Sequence, residues 1–333
     1  MRSSNASASA FGWDFQSNAA IMLMLKNITI AVSVKVEGEN EDIEITLNDK
    51  KVLYVQAKSV FNPDDYSNVI AKLQAGLKTL NEAAKKTTNV ACLIYVTNSP
   101  NPFNDVQTMY AFSGSLTLLQ YSDLPNLGKA KIEKLYKKNG YTFDLDLLSI
   151  FVMQFHGDDD NRCKVIKDLT NEFLESVGLS EYGLGTKILK IWQNDFLRNA
   201  TLRNISVTIS KKQMIWPLIV SRCEISEDDT LLDEYDKGDV DEINKRYGAI
   251  INNKVEQFEF ITKIMSAYNV FEPAISSAER TKKFIASQWH NFKDEFYVSN
   301  IEEKILEVVV KLALNNVIKS RRLISKLKKE VNL

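Results

Sequence analysis

From Val36 to Ser59 the chain reads VEGENEDIEITLNDKKVLYVQAKS, in which a cluster of five carboxylates (Glu37, Glu39, Glu41, Asp42 and Glu44) stands at the start and a Gln56-Ala57-Lys58 triplet near the end. Residues 42–47 and 51–60 alternate apolar and polar side chains on either side of Asn48 and Asp49, which accept tight-turn geometry, so the stretch predicts a hairpin. Alternation puts Asp42, Glu44 and Thr46 on one side of the first strand, and Gln56 and Lys58 on one side of the second. One register brings the two sets together.

Cleaving a phosphodiester requires that its negative oxygens be neutralised and that a water be activated. A Mg²⁺ ion held by a carboxylate and hard oxygen ligands does both. Asp42 is the candidate carboxylate, Gln56 can lend its side-chain carbonyl, and the backbone carbonyl of Ala57 completes a facial set. Lys58 would orient the water or stabilise developing charge. The plainer reading makes the acidic cluster a solvated strand end and Lys58 an edge charge that blocks aggregation. It leaves the matching parity of Asp42, Gln56 and Lys58 without a reason.

The elements that must position these residues follow from periodicity. FGWDFQSNAAIMLMLKN places Phe15, Ala19, Met22, Leu23 and Lys26 at helical steps and predicts an amphipathic helix. Residues 28–36, 42–47 and 51–60 read as an antiparallel meander. After Asn62-Pro63-Asp64-Asp65, a helix is marked by Val69, Leu73, Leu77 and Leu80, and residues 89–98 form an apolar run of strand length. The order to that point is αβββαβ, a mixed sheet flanked by helices. Beyond Pro100 comes a loop-rich stretch holding SLTLLQY, then helical patterns at 125–138, 161–177, 184–199, 239–267, 271–292 and 301–330. Residues 145–155 read as a strand. NISVTIS reads as a short strand, and MIWPLIV, with Trp216 and Pro217, as packed core. The fold class expected is an α/β N-terminal domain over residues 10–160, after a disordered leader over 1–9, with an α-rich region over 161–333 that binds partners.

Composition limits the alternatives. The chain has 333 residues, 44% hydrophobic, enough for a large core and, by length, two domains. A net charge of -1 does not announce a nucleic-acid binder, so any such surface is local. Cys92, Cys163 and Cys223 lie far apart without CxxC pairing and read as reduced thiols in a cytoplasmic protein. With only His156 and His290, neither a zinc site nor a Ser-His-Asp hydrolase is attractive. No stretch reaches the ~20 apolar residues of a spanning helix, so no membrane is expected.

On the helix with Gly12 and Phe15-Gln16, the Glu37-Gly38 to Glu41-Asp42-Ile43 strand and the Gln56-Ala57-Lys58 strand, the chain resembles the PD-(D/E)XK nuclease superfamily in its variant with Gln for the usual Glu. More narrowly it resembles the endonuclease domain of bacterial anti-phage effectors, in CBASS nuclease effectors and the Lamassu nuclease subunit. The resemblance covers roughly residues 10–100, and αβββαβ is that superfamily's core. It implies a Mg²⁺-dependent endonuclease (Mn²⁺ may substitute) acting on double-stranded DNA, with metal ligands at Asp42, Gln56 and Ala57 and the catalytic Lys at Lys58. The polar residue of the site on the first helix, Glu in many relatives, is Gln16 here, which weakens it as a ligand but leaves an amide able to hold the metal-bound water. It also implies protein partners, an SMC-like ATPase and a small accessory subunit, that hold the nuclease inactive until DNA sensing and homo-oligomerisation. Which of Glu37, Glu39, Glu41 and Glu44 joins the metal is open.

Other residues carry weaker signals. Lys72, Lys78, Lys85 and Lys86 could track phosphates or simply face solvent. The basic run KSRRLISKLKKE could meet DNA or an acidic partner, or merely complement a helix C-terminus. Gly183-Leu184-Gly185 lacks the third glycine and the preceding strand of a dinucleotide site. The acidic stretch 226–242 lacks calcium-loop spacing and reads as an exposed linker. Two other functions compete: a catalytically silent DNA-binding scaffold, and a restriction-type nuclease whose C-terminal half reads a sequence.

Overall fold

The computed structural model describes residues 4–157, 159–223, 237–272, 276–296 and 301–333. The elements, in chain order, are α1 (Ser4–Lys26), β1 (Ala31–Val36), β2 (Ile43–Leu47), β3 (Val52–Lys58), α2 (Val69–Lys86), β4 (Val90–Thr97), α3 (Val106–Met109), β5 (Leu116–Gln120), α4 (Asn126–Asn139), β6 (Leu148–Met153), α5 (Asp159–Arg162), α6 (Lys164–Ser176), α7 (Leu184–Thr201), β7 (Ile209–Ser210), α8 (Lys211–Val220), α9 (Lys237–Val255), α10 (Phe258–Val270), α11 (Ser277–Gln288) and α12 (Glu303–Glu330). They form two compact units, one of residues 1–214 with 331–333 and one of Ile215–Glu330.

Unit 1 is built on a seven-stranded mixed sheet in the order β5-β6-β4-β3-β2-β1-β7. β1, β2 and β3 are antiparallel neighbours, and β3, β4 and β6 run parallel, β3 and β4 being linked by α2. The β2–β3 register pairs Ile43 with Val55, Glu44 with Tyr54, Ile45 with Leu53 and Thr46 with Val52. Continued by one step, it sets Asp42 opposite Gln56. On one face, Val52, Tyr54, Leu93 and Tyr95 form a core with Leu73, Leu77 and Leu80 of α2 and with Ile132 and Leu135 of α4. Side chains of the other parity, Ile43, Ile45, Val55 and Ile94, are buried as well, and α1 lies along β1, β2 and β3.

The first helix departs from expectation. Ala20, Ile21 and Met24 are as buried as Phe15, Ala19 and Met22, so from Phe15 to Leu25 α1 is enclosed on all sides rather than amphipathic. Its second cover is α6 and α7, which pack on it. That second layer explains why residues 161–214 belong with the sheet and why the division falls at Met214/Ile215 instead of 160/161. The helix also begins at Ser4, within the segment expected as a leader; its Ala6, Ala8 and Ala10 are good helix formers.

Elsewhere the local readings shift in smaller ways. Residues 145–155 yield β6, NISVTIS contributes only its last two residues to β7, and MIWPLIV lies within helix α8 despite Pro217. Pro217 sits seven places into α8, beyond the first turn where proline is best tolerated. The pattern at 239–267 breaks into α9 and α10 at Glu256-Gln257, and the acidic stretch over 226–236 lies outside the described residues. None of the three cysteines is in a disulfide. Among the described residues no helix is long and apolar enough to cross a membrane.

One polar fastening closes unit 1. Lys211, 7% exposed, donates from Nζ to the carbonyls of Val331 at 2.8 Å, Asn332 at 3.1 Å and Thr29 at 3.3 Å. Burial lowers its pKa, and the three carbonyls supply what water would otherwise give the ammonium. Residues 331–333 are thereby fastened beside the segment that leads into β1.

Unit 2 is helical among its described residues. α12 buries Leu306, Val309, Val310, Ala313, Val317 and Ile324, and the helix packs on α9, α10 and α11. Phe260 stacks edge-on against Phe292 and Phe296, and Phe284 against Tyr268 and Phe271. Trp216 meets the Phe258 ring at 5.0 Å and donates to the Glu256 carbonyl at the α9–α10 break.

Candidate active site at the end of the β2–β3 hairpin

Pairing of β2 with β3 stops at Ile43, and beyond it the Asp42 side chain takes over as acceptor. Asp42 Oδ2 accepts from the Gln56 amide and from the backbone N–H of Ala57 at 3.0 Å. Lys58 Nζ lies 4.0 Å from the same oxygen, with about a third of its side chain exposed. A strand residue directs its N–H and C=O to the same side, so the Ala57 carbonyl also faces Asp42. Asp42, Gln56, Ala57 and Lys58 are therefore brought together.

Gln56 is 2% exposed and held at both ends: its Nε2 donates to Asp42 and its Oε1 accepts from the Thr79 hydroxyl on α2. In this orientation the amide oxygen faces Thr79. Offering it to a cation beside Asp42 requires the amide to turn over, an exchange of near-isosteric ends that leaves Nε2 against a hydroxyl able to accept. α2 approaches this closely because of Gly76. A Cβ there would stand 2.5 Å from the Tyr95 ring and 3.5 Å from Gln56 Cγ.

The acidic turn divides its carboxylates into distinct roles. Glu44 Oε1 accepts from the backbone N–H groups of Asn40, at 2.6 Å, and Glu41, at 3.2 Å, so this side chain closes the turn. It folds across Gly38, where a Cβ would meet Glu44 Cδ at 2.6 Å. Glu37 adopts φ 54, and its N–H donates to Asp42 O at 2.7 Å while Gly38 N–H donates to Glu41 O at 2.9 Å. Glu37 and Glu39 are exposed.

Glu41 is different: it is 5% exposed, and neither of its carboxylate oxygens has a hydrogen-bond partner. Burial, then the neighbouring Asp42 charge, push its carboxyl up to about 8, opposed in part by Thr79 and Lys58. Thr79 carries a single proton, which Gln56 Oε1 and the Gly76 carbonyl already claim. A buried, unsatisfied carboxylate is costly unless it is protonated or meets a cation.

Lys72, on α2, reaches the rim. Its Nζ donates to the Ser59 carbonyl, and burial followed by repulsion from Lys58 lowers its pKa. Lys78 is exposed and lies roughly 120° around the helix from Lys72, away from the face that carries Gly76 and Thr79. Gln16, 8% exposed, makes no hydrogen bond to Asp42, Gln56 or Lys58, and its helix covers the opposite face of the sheet. Asn98 fixes the chain just past Lys58: it accepts from Val60 N–H at 2.6 Å and donates to the Val60 and Phe155 carbonyls, both at 2.8 Å.

Among the described residues no three His, Cys, Asp or Glu side chains converge as a metal cluster. Any cation here would be held by the two carboxylates of Glu41 and Asp42 together with the neutral oxygens of Gln56 and Ala57. The unsatisfied oxygens of Glu41 and the all-oxygen donor set fit a hard cation such as Mg²⁺. Sequence reasoning left Glu41 undistinguished among its neighbours, and only its burial sets it apart. No family model, curated protein or solved structure matches the chain.

Proposed function

We propose that the chain is a metal-dependent nuclease of the PD-(D/E)XK type that hydrolyses phosphodiester bonds of double-stranded DNA, with its centre at Asp42, Gln56, Ala57 and Lys58. The observation that carries this reading is the convergence of Gln56, Ala57 N–H and Lys58 on one oxygen of Asp42. A Mg²⁺ or Mn²⁺ ion bound by Asp42, Glu41, Gln56 and Ala57 would neutralise the phosphate and acidify a water.

The chain's own groups do the rest. Asp42, fixed by two donors, presents one carboxylate in a single orientation. Lys58, partly exposed and near Asp42, supplies a cation where charge develops on the phosphorane-like transition state. Lys72, half-buried at the rim, adds a second positive charge toward a bound phosphate. Thr79 and Gly76 hold Gln56 in place rather than touching substrate. Gln16 has no part in this arrangement.

The element order αβββαβ and the Gln-x-Lys strand support the wider reading: a cytoplasmic anti-phage effector of low sequence specificity, restrained by partner subunits and activated by assembly on DNA sensing. A nonspecific nuclease must be restrained in a living cell, and partners of the SMC-like kind would supply that restraint.

Supercoiled plasmid incubated with Mg²⁺, Mn²⁺ or EDTA tests the centre. Nicking and linearisation in either metal, lost in EDTA and in Asp42→Asn and Lys58→Ala proteins of unchanged melting temperature, is the expected result. Wild-type protein that leaves DNA intact at concentrations permitting self-assembly, with partner proteins and DNA ends supplied, would leave a DNA-binding scaffold as the better account. A discrete, sequence-defined ladder would make it a restriction-type enzyme.

A further inference from the structure

Of the sixteen phenylalanines, all are buried or half-buried except Phe61, which is 71% exposed. It stands three residues beyond Lys58, in the loop that leads from the candidate centre to α2. A single exposed apolar side chain is ordinary on a protein surface. What sets Phe61 apart is the bracing of the backbone that carries it. The Ser59 carbonyl accepts from Lys72 Nζ, and Val60, 5% exposed, is held by Asn98 through both its N–H, at 2.6 Å, and its carbonyl, at 2.8 Å. The Phe61 ring then meets that of Phe11 on α1 at 5.5 Å, and Phe11, 7% exposed, is itself backed by Phe155 at 5.5 Å.

The result is an aromatic ring presented to solvent from a fixed position. A group already held in place loses little freedom when a ligand settles on it. Residues 59–68 contain Asp64 and Asp65 and no cation, and Asp65 is turned onto Ser67, whose N–H donates to it at 3.0 Å. Nothing in the loop itself recruits a phosphate. What it offers a ligand is the ring. Phosphate contacts come from outside it, at Lys58 and at Lys72, which ties α2 to the Ser59 carbonyl.

We infer that Phe61 is a stacking platform for an unpaired nucleobase of the strand that the candidate centre cuts. The assignment rests on the nuclease reading, which supplies the ligand: a strand whose phosphate lies against Lys58 must continue past it. Three residues of extended chain reach at most about 10 Å, so Phe61 lies within roughly three base steps of that phosphate along a stacked strand. A base inside a duplex shows only its edges in the grooves, and its faces are taken by its neighbours, so a base that meets Phe61 face-on has left the stack. Driving the ring into an intact duplex costs the unstacking of a base step, a cost already met at an unpaired end. Single strands, flaps and frayed ends are therefore the preferred substrates over a closed duplex. Because every base has a face to stack, the platform discriminates by pairing and not by sequence.

The test is binding of the full chain, in EDTA and again with Ca²⁺ in place of Mg²⁺, to a short single strand carrying 2-aminopurine and to a blunt duplex of the same sequence, both recovered uncut. Stacking quenches the fluorescence of 2-aminopurine, so wild type and Phe61→Tyr should both quench it at saturation. Phe61→Leu, which keeps an apolar side chain against Phe11, should lose the quench and weaken single-strand binding about tenfold, by the same factor at low and high salt, since stacking releases no counterions. Its melting temperature and its affinity for the blunt duplex should be nearly unchanged. The proposal is overturned if wild type binds no single strand in either condition, if Phe61→Leu keeps the quench, or if that variant loses single-strand and duplex affinity alike. Cleavage plays no part in these readouts. A Phe61-dependent quench in a protein that leaves plasmid intact would count against the nuclease centre alone, and a centre that cuts without such a quench would count against the platform alone.

Discussion

Replacing Glu41 by Gln in metal-free protein isolates the cost of the buried carboxylate. Its carboxyl is pushed from the ordinary 4.5 to about 8 because burial, with Asp42 beside it, disfavours the charged form. The sign follows from linkage: between those values the folded state holds a proton that the unfolded state has released, so stability falls as pH rises through the window. Below about 4.5 the penalty is absent. At pH 7 it amounts to about 3 kcal/mol at 1.36 kcal/mol per unit, and to roughly half that if the turn relaxes or admits water. A Gln is neutral throughout and abolishes the dependence. Thermal unfolding in EDTA from pH 5 to 8.5 should show the melting temperature of Glu41→Gln gaining on wild type by roughly 3 to 10 °C between the ends of the range. Any constant offset from the new amide's unmet hydrogen bonds drops out of that comparison. A difference that stays flat with pH would refute the claim that Glu41 is buried and charged at a cost. So would one that shrinks.

Four further outcomes follow from the same geometry. Gly76→Ala forces α2 off Tyr95 and Gln56 and should lower stability by about 1–3 kcal/mol in urea unfolding, with plasmid cleavage falling further than stability alone explains. Thr79→Val removes the hydroxyl on Gln56 Oε1 at a cost of about 1 kcal/mol, and cleavage should drop while Thr79→Ser retains it. Lys72→Met should weaken DNA binding and reduce the slope of log affinity against log salt by about one, whereas Lys78→Met, on the other side of the helix, should leave both nearly unchanged. Lys211→Met leaves three backbone carbonyls unsatisfied, and should cost about 1–3 kcal/mol and expose residues 331–333 to carboxypeptidase digestion that wild type resists.

The hairpin was legible because strand alternation is a strict period of two. Once Asn48 and Asp49 mark the turn, the parity of Gln56 and Lys58 relative to Asp42 is settled before any coordinates exist. Glu41 was not legible. Its neighbours in sequence are equally acidic, and what sets it apart is a turn in which the Glu44 side chain folds over Gly38 and binds two backbone N–H groups. No periodicity encodes that.

The burial of helix α1 was not legible for a related reason. Phe15, Ala19 and Met22 announce one apolar face, but Ala20, Ile21 and Met24 lie on the others, and such a helix belongs between two layers. Here that second layer is α6 and α7, which is why the first unit runs past residue 200. Lys72 and Lys78 look alike as letters, and only the face set by Gly76 and Thr79 separates them.

The fastening at Lys211 changes the connectivity of the molecule. The chain leaves the first unit after Met214 and re-enters it at Val331, so the second unit is a loop whose two ends are both held. Closing a loop lowers the entropy of its unfolded state, which favours refolding of that unit over separation. A single protease cut within Ile215–Glu330 would therefore leave both fragments attached, and dissociation would require either a second cut or release of the ammonium from its three carbonyls.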